Sequence, residues 1–456
     1  MPETPSATRS DLSFLESRWW GAVVVIAGAG LVFSALIVAL AVRHGFGYIF
    51  SDNLPYEVGR ALPLVAVGAI TLQFVLSARL RWVARPFGLN RVLRFHKAVG
   101  AFVLLLLIAH PALVAWGYYG WTIFFSTATP WYVWLGKLAL LLLFVQVLTG
   151  LFRQSFRLRF ERWRLLHNQA LVIFGALFVH SRLTGTDLLQ PAMRTVWWAL
   201  LAVVVAAYGY HKVVAPTLSR LRAYRVTEVK AETHDVWTLH MEPPPGRARF
   251  TYRPGQFHFL TLRRRGLPTE EHHFTISSSP TEPALTSTIK HSGDFTATIG
   301  QTRPGDRAAI EGPFGRFSYT FRPRERNLVF IAGGIGITPL MSMLRHLRDT
   351  AADANVLLLY GNKTEADIVF RGELEEMAGG ERPRLRVVHV LSRPGAGWQG
   401  EAGYVDRAKI ERLAGDRLVG NTYYVCGPPP MARGVIAALR DLGVPGSRIE
   451  YERFWL

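Results

Sequence analysis

Hydrophobic and polar positions are unevenly distributed along this chain. From Trp19 to Val214 the residues are mostly apolar, and beyond that the pattern is that of an ordinary soluble protein. Six stretches are long and apolar enough to cross a bilayer, which takes about 20 residues. They run near Trp19–Val42, Ala61–Ala78, Ala98–Tyr119, Trp131–Phe152, Leu165–Val179 and Thr195–Val214. The first carries no charge and the fourth only Lys137, whereas Asn168, Gln169, His211 and Lys212 interrupt or fringe the fifth and sixth. After Lys212 a short basic stretch through Arg225 leads into β-rich sequence with proline and glycine turns. Alternating runs such as Gln256–Leu260 predict the strands of a small barrel up to about Arg322. From Asn327 the pattern becomes βα. Leu328–Ala332, Val356–Tyr360, Arg386–Leu391 and Thr422–Val425 read as strands with helical stretches between, which predicts an open α/β sheet. The expected organisation is a tail over 1–18, a six-helix membrane domain over 19–215, a β-barrel over 220–323 and an α/β domain over 326–456.

The net charge of +19 would suit a nucleic-acid partner, but its distribution does not. Arg79, Arg81, Arg85, Arg91, Arg94 and Lys97 lie between spans two and three, and Arg153, Arg157, Arg159, Arg162 and Arg164 between spans four and five. The other three loops are nearly bare, holding Arg43 and Arg60, then nothing, then Arg182 and Arg194. This is the positive-inside pattern. It predicts a multi-pass protein of the inner (plasma) membrane with both termini and the soluble half in the cytoplasm, and no nucleic-acid partner. Met1–Ser17 lacks the basic n-region of a cleaved signal peptide, so the first span is expected to be kept. The single cysteine, Cys426, excludes disulfides, cysteine-ligated clusters and Cys-x-x-Cys-His haem attachment within one chain.

Four histidines in the apolar half carry candidate chemistry. His96 and His110 are 14 residues apart in one span; His167 and His180 are 13 apart in another. A histidine in hydrocarbon is costly and usually functional. Taken singly, each is equally well explained as an interfacial or packed residue. As two matched pairs on spans that run the same way, they predict two stacked metal centres, His96 with His167 and His110 with His180. The levels are separated by roughly 20 Å at 1.5 Å rise per residue. Neutral imidazole is a good iron ligand, and bis-histidine haem b needs no other protein ligand. A 14-residue step returns to nearly the same helix face and a 13-residue step does not, so the fifth span must bend, bulge or tilt. Phe102 and Phe174 are expected to be core residues, and Lys137 to snorkel outward.

In the soluble half, the strand ending at Ala332 runs into Gly333-Gly334-Ile335-Gly336-Ile337-Thr338-Pro339 and then a helix. Such a turn admits a pyrophosphate, although Pro339 takes the place of the last glycine of the usual fingerprint. Around it, in order, stand Pro254-Gly255-Gln256-Phe257, His272-His273-Phe274-Thr275-Ile276-Ser277-Ser278, Gly293-Asp294-Phe295-Thr296, Glu311-Gly312-Pro313-Phe314-Gly315, Cys426-Gly427-Pro428-Pro429 and Glu452-Arg453-Phe454. This series resembles the ferredoxin–NADP reductase-like flavin and nicotinamide module. With the four-histidine membrane half, the chain resembles the ferric reductase and NADPH oxidase family of transmembrane flavocytochromes over about Ala61 to Leu456.

The resemblance implies roles at matching positions. His272, Phe274 and Thr275 would hold FAD, Phe274 against the isoalloxazine and Thr275 near its reactive edge. Gly293 and Thr296 would meet its phosphates. Gly333, Gly334, Gly336 and Thr338 would hold the pyrophosphate of NADPH or NADH. Cys426 and Gly427 would lie by the nicotinamide, and Phe454 would shield the flavin. His273 departs from the proline usual after the first histidine. Electrons would then pass from NAD(P)H to FAD, to haem at His96/His167, to haem at His110/His180, and to an outer acceptor. Oxygen, giving superoxide, is the leading expectation. Chelated ferric or cupric ion, and a quinone or periplasmic redox protein, are alternatives. A transporter or scaffold with a vestigial reductase tail is the reading of a different class. Lys363, Arg371, Ser392 and Arg393 follow strands of the α/β sheet and leave NADPH against NADH open.

Overall fold

The computed structural model describes residues 54–452, apart from 154 and 159. The chain divides into two compact units, Met1–Val213 and Val214–Leu456. The first unit is helical: α1 (Leu54–Ser77), α2 (Arg81–Phe87), α3 (Leu89–Val114), α4 (Trp131–Leu151), α5 (Phe160–His167), α6 (Ala170–Thr184) and α7 (Pro191–Gly209). A single π-turn extends α3 through Ala115–Tyr119, and another, Tyr210–Val214, joins α7 to α8 (Ala215–Leu221). Proline at the first position of α7 has no amide hydrogen to leave unsatisfied there.

Four helices among the described residues are long and apolar enough to cross a membrane: Leu54–Ser77, Leu89–Tyr119, Trp131–Leu151 and Pro191–Leu221. They correspond to the second, third, fourth and sixth predicted spans. The expected count of six is not reached. Trp19–Val42 lies outside the described residues, and Leu165–Val179 is not one helix. Its ladder breaks at Asn168-Gln169. Gln169 N–H bonds Leu166 O at 3.1 Å, three residues back rather than four, and α5 ends. The next helix, α6, has 15 residues, roughly 22 Å of helix, short of a hydrocarbon core about 30 Å thick. Asn and Gln are the polar pair at which the apolar pattern itself is interrupted. The core of the unit is aromatic and aliphatic: Phe74 meets Phe174 edge-on at 5.7 Å and Phe178 stacks on Trp197 at 5.6 Å. Phe174 is a core residue as expected, whereas Phe102 is exposed on the outer surface of the bundle. Leu105, Leu141, Val172 and Val205 also face outward, as lipid-facing positions would.

The second unit, which opens with α8, continues with an antiparallel sheet of β1 (Tyr224–Thr233), β2 (Val236–Glu242), β3 (Phe257–Arg263), β4 (Glu271–Thr275), β5 (Leu285–Lys290) and β6 (Arg307–Phe314), in the order β4-β3-β6-β1-β2-β5. Ser277 N–H donates to Thr286 O at 2.9 Å, which ties the chain after β4 to β5 and brings the two edges together. Leu239, Leu260, Leu262, Ile276 and Ile299 fill its interior.

Next comes a parallel sheet: β7 (Asn327–Gly333), α9 (Ile337–Asp349), β8 (Asn355–Asn362), α10 (Arg371–Gly379), β9 (Arg384–Leu391), β10 (Glu401–Ala402), α11 (Arg407–Ala414), β11 (Thr422–Cys426), α12 (Pro429–Asp441) and β12 (Ile449–Glu452). The strand order is β10-β9-β8-β7-β11-β12. Helix α9 bonds the barrel. Its Ser342 hydroxyl donates to Ser278 O at 2.6 Å, and Arg345 donates to Ser277 O at 2.8 Å while gripping Glu373.

Candidate functional site

In the membrane unit, α3 carries His96 and His110, while His167 ends α5 and His180 lies on α6. The break between α5 and α6 gives each of the latter two histidines its own helix. The break the 13-residue step calls for is thus a two-residue turn at Asn168-Gln169. The His96 and His167 rings lie opposite each other, 5.9 Å between centres and 69° between planes. Their Nδ1 atoms are buried without hydrogen-bond partners among the described residues. His110 Nδ1 lies 2.7 Å from Gly59 O on α1, and His180 Nδ1 lies 2.8 Å from Tyr132 O on α4. A carbonyl can only accept, so in both rings Nδ1 carries the proton and Nε2 keeps its lone pair. An outward Nε2 with Nδ1 fixed on a carbonyl is how metal-ligating histidines are usually oriented.

The helices around these rings are shaped for them. A Cβ on Gly136 of α4 would stand 2.7 Å from His180 Cε1 and Nδ1. Gln73 Nε2 donates to His96 O at 2.9 Å, and Trp163 stacks on His167 at 4.9 Å and 21°. Gly59 and Gln73 are 14 residues apart on α1, the same interval as His96 and His110. A metal with imidazole bonds of about 2 Å on either side places ring centres roughly 6 Å apart. The inner pair meets that spacing, and the outer pair presents two lone pairs, so the residues fit haem iron. None of Gly59, Gly136, Gln73 or Trp163 is distinguishable by composition from ordinary span residues. Lys137 donates to Ile123 O at 2.8 Å and Phe124 O at 3.2 Å, and so reaches the turn before α4.

On the barrel, β4 pairs with β3 so that Phe274 opposes His258 and Thr275 opposes Phe257. His272 stacks on Phe295 at 4.2 Å and 22°, and Phe274 is nearly parallel to the same ring at 6.5 Å. Phe295, in the loop after β5, thus unites the two expected flavin residues, although its place in the sequence alone gives it no role. His272 Nε2 also meets Glu270 Oε2 at 2.9 Å. Thr275 is buried. Gly293 is exposed with open space where a Cβ would stand, which suits a close phosphate. The Thr296 hydroxyl accepts from Ser292 N–H at 2.8 Å and Gly293 N–H at 2.9 Å. It shapes that loop rather than standing free.

In the parallel sheet the strand order reverses beside β7, between β8 on one side and β11 on the other, and ligands of such sheets bind at that switch point. The turn after β7 and the turn after β11 meet there. A Cβ on Gly336 would come within 2.3 Å of Cys426 O and 2.8 Å of Gly427 Cα; one on Gly427 would come within 3.0 Å of Gly333 N. Gly334 has φ +51 and open space, which suits a close-lying pyrophosphate. Thr338 is buried and its hydroxyl donates to Ile335 O at 3.0 Å, so it braces the turn from behind. The Cys426 thiol is fully buried, and burial pushes its pKa up. Phe454 lies outside the described residues. At the sheet rim Arg371 pairs with Glu365 and Glu375 at 3.2 and 2.9 Å, while Lys363 and Arg393 are exposed on adjacent loops, joined by Arg393 N–H to Lys363 O at 2.8 Å.

A β-barrel bearing a flavin-type aromatic cluster, joined to a nucleotide-type parallel sheet, defines an FAD- and nicotinamide-dependent oxidoreductase. The family profiles agree: a ferric reductase like transmembrane component over residues 62–178, an FAD-binding domain over 221–317 and an oxidoreductase NAD-binding domain over 330–436. The chain joins a ferric reductase-like transmembrane component to a ferredoxin reductase-like FAD- and NAD-binding module, and it is a membrane protein. It is 33% identical over 236 residues to the glycine betaine monooxygenase reductase subunit of Pseudomonas aeruginosa, covering 50% of this chain and 63% of that protein. It is 32% identical over 254 residues to the ferredoxin reductase component of 3-ketosteroid-9-alpha-monooxygenase of Mycolicibacterium smegmatis, covering 52% of this chain and 67% of that protein. Among solved structures, the CS-b5R domains of human Ncb5or align with 26% identity and a TM-score of 0.46, over 50% of this chain and 68% of that one. The chain thus spans just under two thirds of the first of these relatives.

Proposed function

We propose that this protein carries electrons across the membrane from cytoplasmic NAD(P)H to an acceptor on the outer face, with oxygen as the acceptor and superoxide as the product. The observation that carries the reading is the disposition of the four histidines. One pair stands ring against ring, and the other pair turns Nδ1 onto main-chain carbonyls and leaves Nε2 available. His96 with His167 would hold the inner of two b-type haems, and His110 with His180 the outer. FAD, when bound, accepts a two-electron hydride from NAD(P)H and passes electrons on singly, which haem requires. His272, Phe274 and Thr275 would seat the flavin ring, with Gly293 and Thr296 at its phosphates. The turn of Gly333, Gly334 and Gly336, braced by Thr338, would seat the dinucleotide. Cys426 and Gly427 would line the nicotinamide position, with Phe454 covering the flavin. The positive-inside arginines support a cytoplasmic position for this module and both termini.

The test is turnover of the purified full chain, with its visible spectrum. Two b-type haems per chain, reduced by NADPH or NADH, are expected, with at least one lost in each of His96→Ala, His110→Ala, His167→Ala and His180→Ala. Reduction of a reporter that superoxide dismutase abolishes supports oxygen. Undiminished anaerobic reduction of a ferric chelate would replace oxygen with metal as the acceptor. A wild-type chain without b-type absorbance overturns the reading in favour of a transporter or scaffold with a reductase tail.

A further inference from the structure

Arg264 is the middle of three consecutive arginines at the end of β3, and it is buried, 5% exposed, where its neighbours Arg263 and Arg265 are exposed. Its guanidinium donates to Thr298 O at 2.7 Å, to the Thr298 hydroxyl at 2.8 Å and to the Thr302 hydroxyl at 3.2 Å. All three acceptors lie on the segment after Gly293. The guanidinium also stands 5.1 Å from the centre of the Phe295 ring, the ring against which His272 stacks. Its Nε is buried with no partner. It forms no ion pair with a carboxylate among the described residues; Asp306 acts on it only through space. Burying a cation is costly, and a buried arginine is ordinarily paired. Neutral threonine oxygens accept from its two terminal nitrogens, and Asp306 offsets its charge only without contact.

We propose that Arg264 is the positioning residue of the flavin-phosphate loop and supplies the fixed positive charge that the phosphates of the flavin nucleotide neutralise. The inference rests on the flavin site described above. The three hydrogen bonds fix Thr298 and Thr302 in the segment that follows Gly293, and the charge lies 5.1 Å from the centre of the Phe295 ring. His272 does not supply this charge, because its Nε2 is already met by Glu270. The Thr296 hydroxyl cannot supply it either, being neutral and spent on the loop's own amides. The expected ligand is a flavin bearing phosphate, distinguished from one without by the charge of a residue that never touches it.

The experiment strips the flavin from the full-length protein and measures the affinities of FAD, FMN and riboflavin by fluorescence quenching. FMN and riboflavin differ only in the phosphate. Arg264→Met is expected to weaken FMN about tenfold relative to riboflavin, the effect of one charge at roughly 10 Å and intermediate dielectric. Arg264→Lys, which keeps the charge and loses the fork of hydrogen bonds, is expected to weaken all three flavins while keeping the FMN-to-riboflavin ratio. Should Arg264→Met not fold, Arg264→Gln removes the charge and keeps a donor to Thr298. Equal losses for FMN and riboflavin in the neutral variant, or no loss in either, overturn the proposal. A wild-type chain that binds no FAD would instead overturn the flavin site on which it rests.

Discussion

On the proposed pairing of His110 with His180, Gly136→Ala should remove the outer haem site and leave the inner one. The added methyl would stand 2.7 Å from Cε1 and Nδ1 of His180 and 2.8 Å from its Cγ. Ordinary contact is about 3.5–4.0 Å, so relief requires a shift of roughly 1 Å. Two groups can move. The imidazole can rotate away, which breaks its 2.8 Å bond to Tyr132 O at about 1 kcal/mol and turns Nε2 from its partner. Alternatively α4 and α6 can separate, an overpacking cost of about 1–3 kcal/mol spread along a closely packed helix pair. Either way the imidazole leaves the position fixed by its bond to Tyr132 O. Gly150→Ala is the internal control. It lies 14 residues further along the same helix, and the nearest atom to its added carbon is Trp163 Nε1 at 3.8 Å, an ordinary contact. Haem per chain, measured by pyridine haemochrome, should fall from two to one in Gly136→Ala and stay at two in Gly150→Ala. Two haems with an unchanged reduced spectrum in Gly136→Ala would refute the assignment of His180.

Gly336→Ala places a carbon 2.3 Å from Cys426 O and 2.6 Å from its carbonyl carbon. Main chain cannot rotate aside, so the two turns must part; NAD(P)H binding, read by calorimetry, should fall at least tenfold while FAD remains bound. His258, wholly buried with Nε2 on the Ser287 hydroxyl at 2.7 Å, has its pKa lowered by burial to about 3. Between that value and the 6.5 of an unfolded histidine, the unfolded chain holds the extra proton. This contribution to stability is therefore complete above pH 6.5 and lost as the pH falls, at about 1.4 kcal/mol per unit. His258→Gln should flatten the acid limb of a plot of soluble-module Tm against pH, and an unchanged slope would dismiss His258 as its source.

The sequence made legible whatever depends on long runs and ordered motifs. Four spans, both sheets of the soluble unit and the glycine turn after β7 lie where their patterns place them. The polar pair Asn168-Gln169 marked the fifth segment as weak. That it ends one helix and begins another depends on a single amide taking the carbonyl three residues back, which no residue type announces. Gly59 and Gly136 look like any glycine in an apolar helix; their value lies in which ring sits across from them. Phe295 was visible within its motif, but its partnership with His272 required the register of β4. Arg264 stands in a run of three arginines that reads as solvated surface. Alternation hides only the middle one, and only once β3 is seen to end at Arg263.

Where the turns after β7 and β11 converge, main chain presses on main chain. Beside that backbone contact only Met431 and Pro428 press on Gly333, so few side chains can be exchanged without parting the two turns. Variation in which dinucleotide is admitted must therefore accumulate around the mouth, at Lys363 and Arg393, or come from insertions that reroute a whole turn.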